Sequence, residues 1–226
     1  MTRSISSGSP SPPQGERGPG GEGSGAPARL YPADPPPWPM DASGAQRFAF
    51  CPRCGARFDV QRIDDRDRLV CTACDFIYYQ NPTVGVAVLL LRDGPAAAGG
   101  TQVLLTQRRH GRGAGLWDLP GGWVEYDEDL RGAAARETLE ETGLRVSVGT
   151  VYEALSNFHT PEQHVVGIWF RGRIEGGELA AADDAADARY FPLDALPELA
   201  FPTDRRVLAR LRAEAAAAAD RRAAAR

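Results

Sequence analysis

Between Gly121 and Leu144 seven carboxylates occupy twenty-four residues, and Glu137, Glu140 and Glu141 fall within five positions of a segment patterned as helix. Residues three and four apart share one side of an α-helix, so these three acids project together. Like charges at that spacing destabilise a helix by about 0.2–0.5 kcal/mol per pair. Either water or a bound cation must offset the repulsion. A solvated face would satisfy the first condition, but three features favour the second. Gly121-Gly122 breaks the chain just before the helix, Glu128 adds a fourth acid at its start, and Leu130 and Ala134 mark the adjoining stripe as buried. The helix must therefore lie on a core with its acids at the rim. Oxygen ligands in that number suit Mg²⁺ or Mn²⁺, which bind through a few carboxylates together with substrate phosphates.

The flanking pattern supplies such a core. Thr83 to Leu91 is a continuous β-branched and aliphatic run suited to a buried strand, and a Gly/Ala-rich turn at Asp93–Gly100 leads into a partner strand, Gln102–Arg108. The helix is expected over Asp127–Thr142, with Asp127 as its cap, Glu128 and Asp129 favouring its positive end, and Gly143 ending it. Further strands are expected at Arg145–Ala154, Val165–Ile174 and Arg189–Phe191. A last helix from about Thr203 turns Val207, Leu208 and Leu211 inward and fades into an Ala/Arg-rich tail. Strands enclosing helices in this order predict an α/β or α+β sandwich.

The chain has 226 residues, 42% of them apolar, enough for one ordinary core and a small appended module. Its net charge of −4 offers no basic field for nucleic acid. The sequence shows neither a signal-peptide pattern nor eighteen successive apolar residues, which predicts a soluble, cytoplasmic protein with no membrane partner. Residues 1–46 are rich in Pro, Gly and Ser and are expected to be disordered, with PPPWP at 35–39 as their stiffest piece and a recognition peptide as the other reading. The boundaries that follow are a tail over 1–46, a small module over 47–82, a main domain over 83–212, and a helical or disordered tail over 213–226.

Cys51-Pro-Arg-Cys54 and Cys71-Thr-Ala-Cys74 stand sixteen residues apart, the spacing of a four-cysteine zinc site. In a reducing compartment, metal binding is favoured over a disulfide pair or a redox CxxC. Four thiolates leave no open coordination position, so the Zn²⁺ would be structural. Arginines and aromatic residues share this module, but Asp59, Asp64, Asp65, Asp67 and Asp75 interleave with them and argue against a nucleic-acid surface. A packing platform or a homodimer contact is the expected role.

The acidic stretch spells a known pattern. Gly122, five residues, Glu128, seven residues, then Arg136-Glu137-Thr138-Leu139-Glu140-Glu141-Thr142-Gly143-Leu144 resembles the Nudix box, G-x5-E-x7-REUXEEXGU with U aliphatic. Every polar position and both glycines match; Thr138 stands where the family has an aliphatic residue. With the zinc ribbon, the resemblance runs to about Leu211 and implies a Nudix α/β/α sandwich with a mixed sheet. It implies an enzyme that cuts the pyrophosphate of a nucleoside diphosphate joined to another group. Glu137, Glu140 and Glu141 would hold Mg²⁺ or Mn²⁺, Glu128 would support or ligate, Arg136 would orient the glutamates, and Gly121 and Gly122 would allow close approach to the diphosphate. The general base would be Glu137 or an acid from the downstream loop 181–187, where Asp184 stands in place of the family's Glu.

Ribbon-bearing relatives that cleave NADH carry an SQPWPFP-like run, and this chain has Leu155-Ser-Asn-Phe-His-Thr-Pro161 instead. The resemblance therefore points to ADP-ribose, FAD or a similar adenine dinucleotide or nucleotide sugar. NADH is the alternative substrate, and a nucleotide sensor with a nucleic-acid-binding ribbon the alternative function. Arg108, Arg109 and the loop Gly111–Gly115 are the candidates for gripping substrate phosphates, with a flexible turn between strands as the commoner meaning of such a loop. Trp117 and Trp123 are candidates for base stacking, with a core position as the equal alternative for Trp117, and His159 and His164 are expected to be packed or surface residues.

Overall fold

The computed structural model describes residues 48–94, 100–160 and 163–224. The expected disordered tail over 1–46 lies outside them. The first element is a three-stranded antiparallel ribbon of β1 (Phe58–Ile63), β2 (Arg66–Cys71) and β3 (Ile77–Tyr78). Its tight turn is made by Asp64 and Asp65 at φ 48° and 59°, the left-handed conformation that a two-residue hairpin requires and that aspartate tolerates. Phe48 and Tyr78 pack edge to face beside it, with ring centres 4.9 Å apart.

The main sheet contains β4 (Thr83–Asp93), β5 (Thr101–Arg108), β8 (Leu144–Thr160), β9 (Gln163–Gly177) and β10 (Ala185–Pro192) in the order β10-β5-β4-β9-β8. Two short strands, β6 (Trp117–Asp118) and β7 (Gly121–Trp123), pair with β5 and β4. β4 runs parallel to β9 and antiparallel to β5, so the sheet is mixed, as expected. Helix α1 (Leu130–Thr142) packs with Val86, Val88, Leu90, Leu104 and Phe170 on one face, through Ala133 and Ala134. Helix α2 (Pro202–Ala224) packs Val207, Leu208 and Leu211 with Leu89, Val103, Leu105 and Trp169 on the other. The alternation of β4 feeds two cores, because successive side chains of a strand point to opposite faces.

The structure corrects several sequence expectations. The cap of α1 is Asp129, not Asp127: its side chain accepts from the N–H groups of Arg131 and Gly132, and Asp127 lies two residues too early to reach them. Gly143 ends the helix at φ 71°, as its freedom from a Cβ permits. β8, β9 and β10 run beyond the expected limits, since the pairing of β8 with β9 continues from Leu144 to Thr160. α2 does not fade after Leu211 but continues to Ala224. β6 and β7 escape sequence reading because two or three residues carry no periodicity.

Asp204, near the start of α2, is buried and accepts from the indole N–H of Trp169 at 2.9 Å. Burial, reinforced by the charge of Asp118, raises its pKa to about 7, well above that of an unfolded-chain aspartate. The native state thus holds this proton more tightly than the unfolded state. Its stabilising contribution is complete below about pH 4 and is lost as pH rises through about 7. Asp204→Asn keeps the acceptor and removes the titration. Thermal melts of both proteins should show the parent losing stability between about pH 4 and pH 7, with the variant flat over the same range apart from other groups.

Candidate active site

The acids of α1 are resolved around one guanidinium. Arg136 Nε and Nη2 donate to the two oxygens of Glu128 at 2.8 and 2.9 Å, a bidentate pair. Its Nη1 donates to Glu137 at 3.0 Å and to Glu140 at 2.8 Å, and Nη2 also reaches the Trp123 carbonyl at 3.1 Å. The pair of Arg136 with Glu140, one helical turn apart, thus sits within a larger array. Arg136 holds the Glu128 carboxyl below its usual range, and the carboxylates in turn raise the guanidinium's own pKa. With both Glu128 oxygens on Arg136, that residue is placed to support the site through the arginine.

Glu141 lies apart from this array. It is 5% exposed and accepts from the Gly121 N–H at 2.9 Å. Burial, then the charges of Asp118, Asp184 and Glu137, raise its pKa to about 9. Burial likewise raises Glu137, against the opposing pull of Arg136. A buried carboxylate with other acids around it fits a site for a cation, and its oxygens are hard ligands suited to Mg²⁺ or Mn²⁺.

The two glycines have different duties. A Cβ at Gly121 would lie 2.1 Å from the Val86 carbonyl oxygen, so only glycine lets β7 approach β4 there. A Cβ at Gly122 would lie 2.5 Å from Glu137 Cδ, so the space above Gly122 belongs to the Glu137 carboxyl. The sequence reading gave both glycines to the diphosphate; here they set the sheet and seat the acids. Thr138, the departure from the box pattern, is fully buried, and its hydroxyl donates to the Ala134 carbonyl at 2.7 Å, which satisfies it within the helix.

Arg108 does not fit the role expected of it. Its Nη1 donates to buried Asp118 at 2.7 Å, its Nε donates to the Arg112 carbonyl at 2.8 Å, and its guanidinium stacks on Phe201. These bonds commit it to the interior rather than to a substrate. Arg109 is exposed and bonds to the chain around Asp184, which is also exposed. Asp118, bonded to Thr106 and Arg108, is a buried acid that sequence reading missed. Its signal was a lone carboxylate inside the apolar run Leu116-Trp-Asp-Leu-Pro120. Trp117 is a core residue, edge-on to Phe191 at 4.7 Å, whereas Trp123 is 46% exposed beside the acids. His164 stacks on Phe158 at 4.3 Å, as a packed histidine; the side chain of His159 lies outside the described residues.

In the ribbon, Sγ atoms of Cys51 and Cys74 are 3.8 Å apart and those of Cys54 and Cys71 are 3.4 Å apart. A tetrahedral zinc site with bonds of about 2.3 Å has sulfur–sulfur edges of about 3.8 Å. The N–H groups of Arg53 and Ala73 each point at the sulfur two residues earlier, both at 3.4 Å, so the two CxxC turns are built alike. The donor set and spacing fit Zn²⁺.

A mixed sheet between two helices, with a glycine pair, an arginine-centred acid array and a four-thiol ribbon, defines the class. A family model described as NUDIX domain matches residues 81–211, and one described as Nudix N-terminal, a zinc-ribbon model, matches 49–80. The chain belongs to the NUDIX domain family and is a Nudix hydrolase with an N-terminal zinc-ribbon segment. It is 36% identical to an ADP-ribose pyrophosphatase of Methanocaldococcus jannaschii over 148 residues, which cover 65% of this chain and 80% of that protein. It is 30% identical over 157 residues to the NAD-capped RNA hydrolase NudC of Pseudomonas aeruginosa, covering 69% of this chain but only 51% of that protein. The chain thus spans about half the length of that relative. Among solved structures, a NUDIX hydrolase from Nitrosomonas europaea superposes with a TM-score of 0.60 at 29% identity, covering 71% of this chain and 88% of that one. Enzymes of this family depend on metal ions. Among the described residues, no helix is long and apolar enough to cross a membrane.

The glycine contacts give a paired prediction. Gly121→Ala meets backbone and should lower the melting temperature sharply. Gly122→Ala meets a movable carboxyl and should leave the fold nearly intact while lowering turnover by about tenfold or more, through a displaced Glu137. Thermal denaturation and initial rates on the two variants separate the effects.

Proposed function

We propose that this chain hydrolyses the pyrophosphate linkage of ADP-ribose or a related adenine dinucleotide or nucleotide sugar such as FAD, using Mg²⁺ or Mn²⁺. The observation that carries the proposal is the division of the α1 acids. Arg136 restrains Glu128, Glu137 and Glu140, while Glu141 is buried against the Gly121 amide with other acids around it. Glu137, Glu140 and Glu141 would hold the divalent ions, with Glu128 supporting them through Arg136. Bound there, such ions neutralise the diphosphate and lower the pKa of an attacking water. Arg136 keeps the glutamates oriented, and Asp184 or Glu137 takes the proton from the water. The ADP-ribose pyrophosphatase of Methanocaldococcus jannaschii supports the choice of substrate, since 80% of its length is matched.

A second reading, an NAD(H)-type substrate, is favoured by the likeness to NudC over half of that protein. The run Leu155–Pro161, unlike that of NADH-cleaving relatives, favours the first. The proposal further holds that the enzyme is cytoplasmic, that its partner is a small nucleotide rather than nucleic acid or a membrane, and that any homodimer forms through the ribbon. Residues 47–82 would be a zinc-stabilised module and 83–212 the hydrolase domain.

Phosphate release, coupled to a phosphatase, from ADP-ribose, FAD, NADH and nucleoside triphosphates tests this directly. Metal-dependent turnover of ADP-ribose above the others is expected. Tight nucleotide binding with no turnover would instead identify a sensor. Glu140→Gln and Glu141→Gln should each lower kcat/KM by about a hundredfold or more with little change in melting temperature, because the amide oxygen can still accept from Arg136 or from the Gly121 N–H while the anionic ligand is lost. Cys71→Ser should release zinc and unfold the ribbon, read by metal content and by proteolysis within residues 48–80.

A further inference from the structure

The turn that carries Asp184 is tied down on two sides. On one side it closes the C-terminal end of α1: the Ala180 N–H donates to the Thr142 carbonyl and the Ala182 N–H to the Glu141 carbonyl, both at 3.0 Å. These are two of the carbonyls that a helix leaves unpaired at its end. On the other side it meets the end of β5, where the Arg109 N–H donates to the Asp184 carbonyl and Arg109 Nη2 donates to the Ala185 carbonyl, each at 2.8 Å. The turn is internally tight as well. The Ala185 N–H bonds to the Ala182 carbonyl at 3.0 Å, Asp183 is left-handed at φ 52°, and the ladder of β10 with β5 is irregular between Ala185 and Asp187. Aspartate tolerates that conformation, and the bonds on both sides hold the turn in it.

We infer that Arg109 is a positioning residue for the reaction: its main-chain N–H and its guanidinium fix the Ala182–Ala185 turn to β5 and so set where Asp184 stands relative to the α1 carboxylates. The charge of Asp184 is felt at Glu137, Glu141 and Asp118, so the turn delivers it to the acid cluster. The geometry ranks this above the role read from sequence, a direct grip on substrate phosphate, because the side chain's observed bond is to the protein's own backbone. It also accounts for an exposed arginine at the end of an otherwise buried strand. The inference rests on the metal-dependent hydrolysis proposed above and on a part for Asp184 in it.

The test is a double-mutant cycle on the full chain with ADP-ribose and Mn²⁺, comparing Arg109→Ala, Asp184→Ala and the pair, with Arg109→Lys as the conservative variant. Arg109→Ala should lower kcat by about tenfold to a hundredfold, leave KM within about twofold, and leave the melting temperature unchanged. Added to Asp184→Ala it should cost nothing further, because both act through one group. Arg109→Lys, which still reaches a carbonyl, should recover part of the loss. A raised KM with kcat intact would assign Arg109 to substrate phosphate, and additive losses or a fully active Asp184→Ala would overturn the inference. Full activity of Glu141→Gln would sink the hydrolysis mechanism instead, and an inactive parent would overturn both.

Discussion

One arginine makes the acidic helix tenable. Arg136 offers its planar donors to both oxygens of Glu128, to Glu137, to Glu140 and to the carbonyl of Trp123. It thereby spans the end of β7, the start of α1 and the helix's outer face with one side chain. A lysine could neutralise charge here but could not hold several acceptors in fixed directions, since its ammonium is a point charge on a flexible stem. The array leaves Glu141 outside it, held by an amide rather than a cation. Three acids with a resident counter-charge and one without is an asymmetric arrangement, and the asymmetry makes the interior side of the helix the place where positive charge is wanted.

The sheet supplies the other half of that arrangement. β7 lies against β4 with Gly85 opposite Trp123, Val86 opposite Gly122 and Ala87 opposite Gly121. The pairing aims the Gly121 N–H at Glu141 and leaves the space above Gly122 for Glu137. Neither acid could take its position if a side chain stood at Gly122 or if β7 were held away from β4. The ion pair of half-buried Arg108 with buried Asp118 ties β5 to β6 nearby. Asp118 then adds to the negative potential around Glu141 and Asp204. Burial thus raises Glu137, Glu141, Asp118 and Asp204, whereas Arg136 holds Glu128 low.

Much of this was legible in the sequence because it is local. Glutamates three and four apart fix their own side of a helix, Gly143 fixes its end, and two CxxC turns fix a thiol cage with no knowledge of the rest of the chain. What escaped was set by pairing across the fold. Arg108 reads as a phosphate ligand in a Gly-rich segment, and only the pairing of β5 with β6 reveals that Asp118 claims it. Gly122 reads as room for a substrate, and only the packing of α1 against β7 shows that Glu137 fills that room. Asp127 and Asp129 are equally good caps by type, and two residues of helix phase decide between them. Arg109 belongs with these, since its partners lie more than seventy residues downstream.

The two parts of the chain proposed to bind metal meet the problem of clustered negative groups in opposite ways. In the ribbon, the four sulfurs already lie within 4.8 Å of one another, a spacing that anticipates the ion and suits a closed structural site. Among the described residues, the helix carboxylates are not gathered into a cluster of that kind, and Arg136 stands among them. A hard ion such as Mg²⁺ needs only one or two carboxylates if phosphates and water complete its shell. A site that leaves the shell to be finished by the diphosphate holds its ion most firmly when the substrate is present. On the proposed mechanism the helix site would therefore load its ion together with the diphosphate, whereas four thiolates would close the ribbon's cage around Zn²⁺ with no substrate needed.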